Sequence, residues 1–173
     1  MSEIVNRVAN SPIVTVDLEK FYLPGEREEF DLAPFLYQGL VIREMDFRQS
    51  MKELDWCVYK DKYVAVHCSA DAIVPTWAFM LAVVNLQKVA RDVVIGDLNA
   101  LEIHLMGSSL RKLDLEAMRD KPIVIKGCSK LPVVDYAYGE VIRMILPVAK
   151  SIMFGEPCST VPVYKRPREK ASR

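Results

Sequence analysis

A stretch of this chain recurs 59 positions later, and this internal similarity constrains the fold more than any other feature. It includes a Cys-Ser pair, Cys68-Ser69, which matches Cys128-Ser129 once one extra residue, Gly127, is allowed. The other matched pairs are Leu54-Asp55 with Leu113-Asp114, Asp61-Lys62 with Asp120-Lys121, Val89-Ala90 with Val148-Ala149, and Gly96-Asp97 with Gly155-Glu156. Two copies of one unit, over about residues 46–97 and 105–156, explain this pattern. The alternative is that two buried strand–helix–strand units resemble each other through packing alone.

Each copy predicts a strand, a helix and a second strand. Residues 63–66 and 123–125 are nearly uninterrupted apolar runs, and each precedes a loop and then a helix. Pro75 stands near the start of the first helix, where its missing N–H costs no hydrogen bond. Continuous apolar strands separated by helices are typical of a parallel sheet covered on both faces. We therefore expect an α/β fold, with a mostly parallel sheet flanked by helices and an N-terminal strand and helix added before the two copies.

Three further segments carry their own signals. Residues 13–18 alternate between apolar and polar side chains, and residues 40–42 form a short apolar run, so both are predicted strands. Between the two copies, the sequence predicts a helix over residues 98–106. Gly107 is expected to break that helix, because glycine is a poor helix former.

The C-terminal third ends in a strand and a basic tail. Pro147 is predicted to end or kink the helix of the second copy, because proline lacks the N–H that the helix needs. Residues 161–164 predict a short edge strand, and the basic residues 165–173 predict a disordered tail. The remaining residues, 1–164, are expected to form a single α/β domain.

Composition limits the class of protein and of partner. The chain has 173 residues, of which 51% are hydrophobic, enough for one domain with a buried core. Lys and Arg number 23 and Asp and Glu number 23, so no net charge attracts nucleic acid, and a small molecule, another protein or a second copy of the chain is the expected partner. There is no secretion signal and no apolar run of about 20 residues, so we expect a cytoplasmic protein with no membrane partner. Its four cysteines are then expected to be reduced thiols or metal ligands.

Three cysteines follow predicted strands. Cys68 and Cys128 lie in the loops between strand and helix, and Cys158 follows the last strand of the second copy. Because the carboxyl ends of parallel strands meet at one edge, the three thiols are expected on one rim of the sheet. Helix N-termini lower thiol pKa values, which suits metal binding or nucleophilic attack. With His67 or Asp71 as a fourth ligand, these cysteines predict a zinc site, or an iron–sulfur cluster with one open position.

The same residue types also have structural roles. The spacing of the cysteines contains no C-x-x-C pair, and free cysteine often packs as a small apolar side chain, which is what we expect of Cys57. Ser69 is expected to cap a helix or to bind an anion. His104 is expected to be a surface or hydrogen-bonded histidine. No glycine-rich phosphate loop occurs, which disfavours the common nucleotide-binding enzymes.

Three stretches of sequence resemble a known family. They are CSADAIVPTWA over residues 68–78, VIKGC over residues 124–128 and GEPCSTVPVYK over residues 155–165. The chain is similar, over nearly its whole length, to a bacterial family found mainly in Bacteroidetes, the domain of unknown function 2480. This resemblance implies a bacterial cytoplasmic protein, and it implies no activity, substrate or cofactor.

The sequence leaves three classes of function open. In the first, Cys68, Cys128 and Cys158 bind a metal ion or an iron–sulfur cluster with a structural or redox role. In the second, Cys68 or Cys128 is the nucleophile of a thiol-dependent enzyme. In the third, the protein is a non-catalytic binding or assembly module with structural cysteines. The sequence itself names no substrate.

Overall fold

The parallel strands of this chain are distributed between two sheets. The computed structural model describes residues 13–127, 130–156 and 159–167. The helices and strands of this part of the chain are β1 (Val14–Asp17), β2 (Arg27–Asp31), α1 (Glu44–Glu53), β3 (Tyr63–His67), α2 (Thr76–Leu86), β4 (Asp92–Ile95), α3 (Leu98–Leu110), β5 (Pro122–Lys126), α4 (Asp135–Ile145), β6 (Ser151–Glu156) and β7 (Ser159–Lys165). Four of the five strand pairs described are parallel, so the expected α/β class with mostly parallel strands is confirmed.

Contacts along the chain separate two compact units. One unit is Leu23–Leu105, which we call the middle unit; it contains the sheet of order β2-β3-β4. The other contains the described residues up to Tyr22 and from Met106 onward, which we call the terminal unit. Its sheet has the order β1-β5-β6-β7. The boundary between the units falls within the sequence of α3.

In the middle unit, both faces of the sheet are covered. The central strand β3 pairs in parallel with β2 and with β4. Because successive side chains of a strand point to opposite faces, Val64 and Val66 pack on one side and Tyr63 and Ala65 on the other. The first side is covered by buried residues of α1 and α2, which are Phe47, Met51, Ala78, Ala82 and Leu86. The second side is covered by Leu101 and Leu105 of α3.

In the terminal unit, the helix α4 packs on a sheet with one antiparallel edge. Ala137, Val141 and Ile145 of α4 are spaced four residues apart and are fully buried against the core. The helix ends before Pro147, as its sequence predicts. The edge strand β7 is also confirmed, and it runs antiparallel to β6. Pro162 lies in this edge strand, where a residue without an N–H is tolerated.

Several backbone features of the two units occur 59 positions apart. Asp61 and Asp120 both adopt a positive φ, of 60° and 56°. The N–H of Asp61 donates to Val89 at 3.0 Å, and the N–H of Asp120 donates to Val148 at 2.9 Å. Further matched hydrogen bonds join Arg91 to Lys62 and Lys150 to Lys121, and Ala78 to Pro75 and Ala137 to Val134. The pairs of similar sequence therefore also have similar backbone conformations.

The predicted strand at residues 40–42 is wrong. Val41 makes only an isolated bridge with Tyr37. The second strand of the chain is instead β2, at the edge of the sheet beside β3. The sequence hides β2 because it has a single buried apolar residue, Phe30. Its charged side chains are paired instead, as when Arg27 donates to Glu102 at 2.6 Å. An edge strand needs only one apolar face, so ion pairs along the other leave no apolar alternation to detect.

The predicted break at Gly107 is also wrong, because α3 continues to Leu110. A Cβ on Gly107 would lie 3.3 Å from the phenol oxygen of Tyr136. Glycine at this position therefore lets α4 approach α3 closely, at the small energetic cost of one glycine within a helix.

In the described part of the chain, no helix combines the length and the apolar character that crossing a membrane requires.

The first residues of the predicted tail are held by hydrogen bonds. Lys165 is the last residue of β7, and the N–H of Arg166 donates to Lys150 at 3.0 Å. The guanidinium of Arg166 also contacts Asp120 and donates to the carbonyl of Val148 at 2.9 Å. The expectation of disorder for residues 168–173 lies outside the described residues.

Candidate functional site

Cys68 lies directly after β3, at the carboxyl end of the middle unit's central strand. Its thiol is partly buried against the apolar cluster of that unit and lies 3.7 Å from the carbonyl oxygen of Ala70. Cys68 is a free thiol. The expected common rim of one sheet is wrong, because β3, which precedes Cys68, lies in a different sheet from β5 and β6, which precede Cys128 and Cys158. Cys128 and Cys158 themselves lie outside the described residues, so a meeting of the three sulfurs stays a prediction.

Beside Cys68, His67 faces a carboxylate of the neighbouring strand. Its Nε2 atom lies 3.4 Å from the Oε1 atom of Glu29. Asp71, the other predicted fourth ligand, is an exposed residue in the loop after β3. Within the residues that the structure describes, no group of three His, Cys, Asp or Glu side chains could hold a metal ion. The described part of the site therefore offers one thiol and one imidazole, and any metal centre would require ligands from the other cysteines.

The loop that carries Cys68 is fixed by the carboxylate of Asp31, at the end of β2. Asp31 accepts hydrogen bonds from the N–H of Ser69 at 2.9 Å and from its hydroxyl at 2.5 Å. It also accepts from the N–H of Ala33 at 2.9 Å. The predicted role of Ser69 in helix capping is thus wrong, because its hydroxyl donates to Asp31 and α2 has no side-chain cap. Its predicted role in anion binding stays a prediction.

These hydrogen bonds keep Asp31 ionised. Burial is the largest single influence and raises the pKa of Asp31. The hydrogen bonds from Ser69 and Ala33, together with the charge of His67, outweigh burial and lower the pKa below its ordinary value. A charged acceptor makes stronger hydrogen bonds than a neutral one, so the loop is held firmly. Asp31 and Ser69 lie 38 positions apart, so no local sequence pattern predicts their contact.

A cleft opens beside Cys68 at the carboxyl ends of β3 and β4. Its volume is about 350 Å³. It is lined by Val66, His67, Cys68, Ala70, Ala72, Val74, Phe79, Ile95 and Gly96. Most of these residues are apolar, and Ile95 at the end of β4 is 50% exposed. The arrangement can hold a small, mostly apolar molecule with His67 and Cys68 as its polar neighbours.

Gly96 shapes one wall of this cleft. Its N–H donates to the carbonyl of Val66 at 2.9 Å, and its φ of +146° is a conformation that favours glycine. A Cβ at this position would lie only 2.6 Å from the Cβ of Ala100, near the start of α3. The chain therefore turns from β4 into α3 without a side chain that would crowd the wall.

The terminal unit has an apolar cleft at corresponding positions. Its volume is about 180 Å³, and its lining residues are Ile125, Tyr138, Ile142, Phe154 and Val163. Three of these residues lie 59 positions after lining residues of the first cleft: Ile125 after Val66, Tyr138 after Phe79, and Phe154 after Ile95. Both units thus have a cleft where the ends of two parallel strands meet the following helix.

The remaining candidates lie elsewhere. Cys57 is exposed, in the short turn Trp56–Tyr59, so the prediction that it packs as an apolar side chain is wrong. Its position is set by Asp55, whose side chain accepts from the Cys57 N–H at 2.9 Å. His104 is hydrogen-bonded through Nε2 to Asp92 at 2.9 Å, which confirms the expected structural role.

Comparison with known proteins identifies a family without identifying an activity. The chain matches no curated protein and no solved structure. One family model, described as a protein of unknown function (DUF2480), matches residues 2–166. This range contains the three stretches that carry the sequence resemblance, and it covers nearly all of the chain. The protein therefore belongs to the DUF2480 family.

Proposed function

We propose that the protein is a binding module that holds a small, mostly apolar molecule in the cleft beside Cys68. The observation that carries this proposal is the position of the cleft, at the carboxyl ends of two parallel strands, where α/β proteins commonly bind ligands. Its volume of about 350 Å³ is in the range of small-molecule sites. The apolar lining supplies binding free energy through burial, and His67 and Cys68 give the ligand an orientation.

The test uses the full chain and a library of fragments of about 10 to 20 non-hydrogen atoms, screened by amide chemical shifts. Fragments that bind are expected to move the amide signals of His67, Ala70, Ala72 and Gly96. The substitution Ala72→Phe fills the cleft and is expected to weaken these fragments at least about tenfold. Ala117→Phe, at an exposed position of the terminal unit, is the matched control and should leave their affinity unchanged. A library in which no fragment moves the cleft amides would refute the proposal.

We further infer that the two units arose by duplication of one strand–helix–strand element. Support comes from the similar residue pairs 59 positions apart, the matched hydrogen bonds and the pair of clefts. Packing alone explains the shared apolar positions, but it does not require the same left-handed backbone at Asp61 and Asp120. The inferred copies are the ones that the sequence predicts, about residues 46–97 and 105–156.

A metal centre is the second candidate function, supported by the partly exposed free thiol of Cys68 at a strand end. In this hypothesis Cys68, Cys128 and Cys158 bind zinc or an iron–sulfur cluster, with His67 or Asp71 beside them. Elemental analysis of chain purified without metal-affinity resin tests it. About one zinc per chain, or iron with sulfide, lost in Cys68→Ser but retained in Cys57→Ser, is the expected result. Metal-free protein would exclude a resident centre.

The reaction rates of Cys68 and Cys57 with iodoacetamide distinguish a thiol-dependent enzyme from a protein in which Cys68 is structural. A nucleophilic Cys68 would react with iodoacetamide faster than the exposed Cys57, because an activated thiol reacts as its thiolate. A structural Cys68 would react more slowly than Cys57, because it is partly buried. The free thiols of Cys57 and Cys68 also favour the proposed cytoplasmic location, where thiols stay reduced.

A further inference from the structure

A second concave surface of the middle unit lies between α1 and α2, away from Cys68. Its volume is about 470 Å³. We call it the cationic groove, and its lining residues are Arg48, Met51 and Lys52 of α1, Trp56 of the following turn, and Leu81 and Asn85 of α2. None of these lining residues also lines the cleft beside Cys68.

The floor of the cationic groove is apolar and preformed. Met51 is buried, and Trp56 and Leu81 are partly buried. The indole N–H of Trp56 donates to the carbonyl of Met51 at 2.9 Å, which fixes the ring. A fixed aromatic ring in a concave apolar site is a typical anchor point for a partner, since little conformational entropy is lost on binding.

The rim of the groove is positively charged. Arg48 and Lys52 lie four residues apart on α1, and Lys88 donates through Nζ to the Asn85 side chain at 3.1 Å. None of the described residues that line the groove is a carboxylate. Arg48 pairs with Glu44 at 2.8 Å, but both side chains are more than half exposed. Such a pair contributes little stability and exchanges readily for the carboxylate of a partner.

An apolar strip on α2 extends the floor beyond the groove. Met80 is 58% exposed and Val84 is 57% exposed, and each directly precedes a residue that lines the groove. The sequence of α2 is apolar almost all round, which predicts burial on two sides. In the structure one side packs on the sheet and the other is exposed. Met80 and Val84 lie outside the apolar cluster of the middle unit, against which Leu81 packs.

We propose that the cationic groove and the strip of Met80 and Val84 bind an acidic amphipathic helix of a partner protein. Apolar side chains of that helix fill the groove over Trp56 and Leu81, in the manner of other helix-in-groove complexes. Its carboxylates face Arg48, Lys52 and Lys88. The strip makes the surface longer than a small molecule needs. The balanced charge of the whole chain, with 23 basic and 23 acidic residues, disfavours nucleic acid as the partner.

The test selects peptides of about 15 residues from a random library displayed against the full chain, a length at which isolated helices begin to form. We expect the enriched peptides to be acidic, with apolar residues at helical spacing. Their affinity should fall at least about tenfold for Lys52→Glu and for the double variant Met80→Gln with Val84→Gln. Lys112→Glu, an exposed lysine just after α3, is the matched control and should bind as the unchanged chain does. Circular dichroism verifies that each variant is folded.

Three outcomes would overturn the proposal. The first is enrichment of peptides that are not acidic, or of acidic peptides that bind Lys52→Glu as well as they bind the unchanged chain. The second is binding to vesicles of anionic phospholipid that Lys52→Glu abolishes, with no peptide enriched; the surface would then bind membranes. The third is a dimer in sedimentation that Lys52→Glu dissociates, with no peptide enriched, which would make a second copy of the chain the occupant.

Discussion

Asp31 connects two loops that lie 38 positions apart in the sequence. Its carboxylate accepts both the N–H and the hydroxyl of Ser69, the residue after Cys68. It also accepts the N–H of Ala33, in its own loop. The position of the thiol at the mouth of the cleft thus depends on a carboxylate at the end of the neighbouring strand. Ser69 has no other described side-chain acceptor, so loss of the Asp31 charge should loosen the loop.

The substitution Asp31→Asn tests this role. We expect a loss of about 1–2 kcal/mol in the free energy of unfolding at neutral pH, because the amide is a weaker acceptor and has only one oxygen in place of the two that Ser69 uses. The pKa of Asp31 is lowered in the folded chain, so its contribution is fully present above the unfolded value of about 4 and is lost as the pH falls through the folded value. Denaturant titrations at several pH values should therefore show the two proteins converging in acid.

Asp71→Asn is the control for this measurement. Asp71 is exposed and lies in the same loop, so its substitution should leave the free energy of unfolding within about 0.5 kcal/mol of the starting value. A difference between Asp31→Asn and the unchanged chain that persists undiminished at the lowest pH would show that the carboxylate charge is not what holds Ser69.

At the scale of single elements, glycines show how the local environment decides the sign of a substitution. Gly139 lies within α4, and a Cβ there would meet nothing within 4 Å. Gly96 lies between β4 and α3, where a Cβ would overlap Ala100 and the φ is +146°. The first glycine therefore only weakens its helix, whereas the second is required by the backbone that borders the cleft.

We accordingly expect Gly139→Ala to raise the free energy of unfolding by about 0.5–1 kcal/mol, the usual gain for alanine in an exposed helical position. Gly96→Ala should lower it by about 1–3 kcal/mol, because alanine must adopt a strained backbone against Ala100. Thermal and denaturant unfolding of both variants measure these changes. Destabilisation by Gly139→Ala would mean that α4 is covered on the side that the structure leaves open.

Elements with a dominant apolar pattern could be predicted from the sequence. Elements held by ion pairs between distant side chains could not. β3 and β5 are uninterrupted apolar runs, and the buried residues of α4 recur every four positions. β2 is stabilised by contacts such as Arg27 with Glu102, which are 75 positions apart and leave no local signal. The position of Cys68 at a strand end followed from β3. Its link to Asp31, in contrast, depends on the neighbouring strand.

At the scale of the whole molecule, the described residues form two units, and several residues 59 positions apart share the same burial or the same backbone hydrogen bond. Leu86 is fully buried near the end of α2, and Ile145, 59 positions later, is fully buried near the end of α4. The carbonyl of Leu86 accepts from the N–H of Ala90, and the carbonyl of Ile145 accepts from the N–H of Ala149, both at 2.8 Å. A duplicated element should retain equal energetic roles at such positions, whereas chance resemblance of packing requires no equality.

Leu86→Ala and Ile145→Ala therefore form a matched pair for the inferred duplication. Each truncation is expected to lower the free energy of unfolding by about 2–5 kcal/mol, since a buried aliphatic side chain is replaced by a cavity. The two losses should agree within about 1 kcal/mol. Val83→Ala and Ile142→Ala, the partly buried pair one turn earlier, should both show smaller losses. Measured losses that differ several-fold within a pair would indicate that the two helices resemble each other only in sequence pattern, because positions of common origin and equal burial create cavities of similar size.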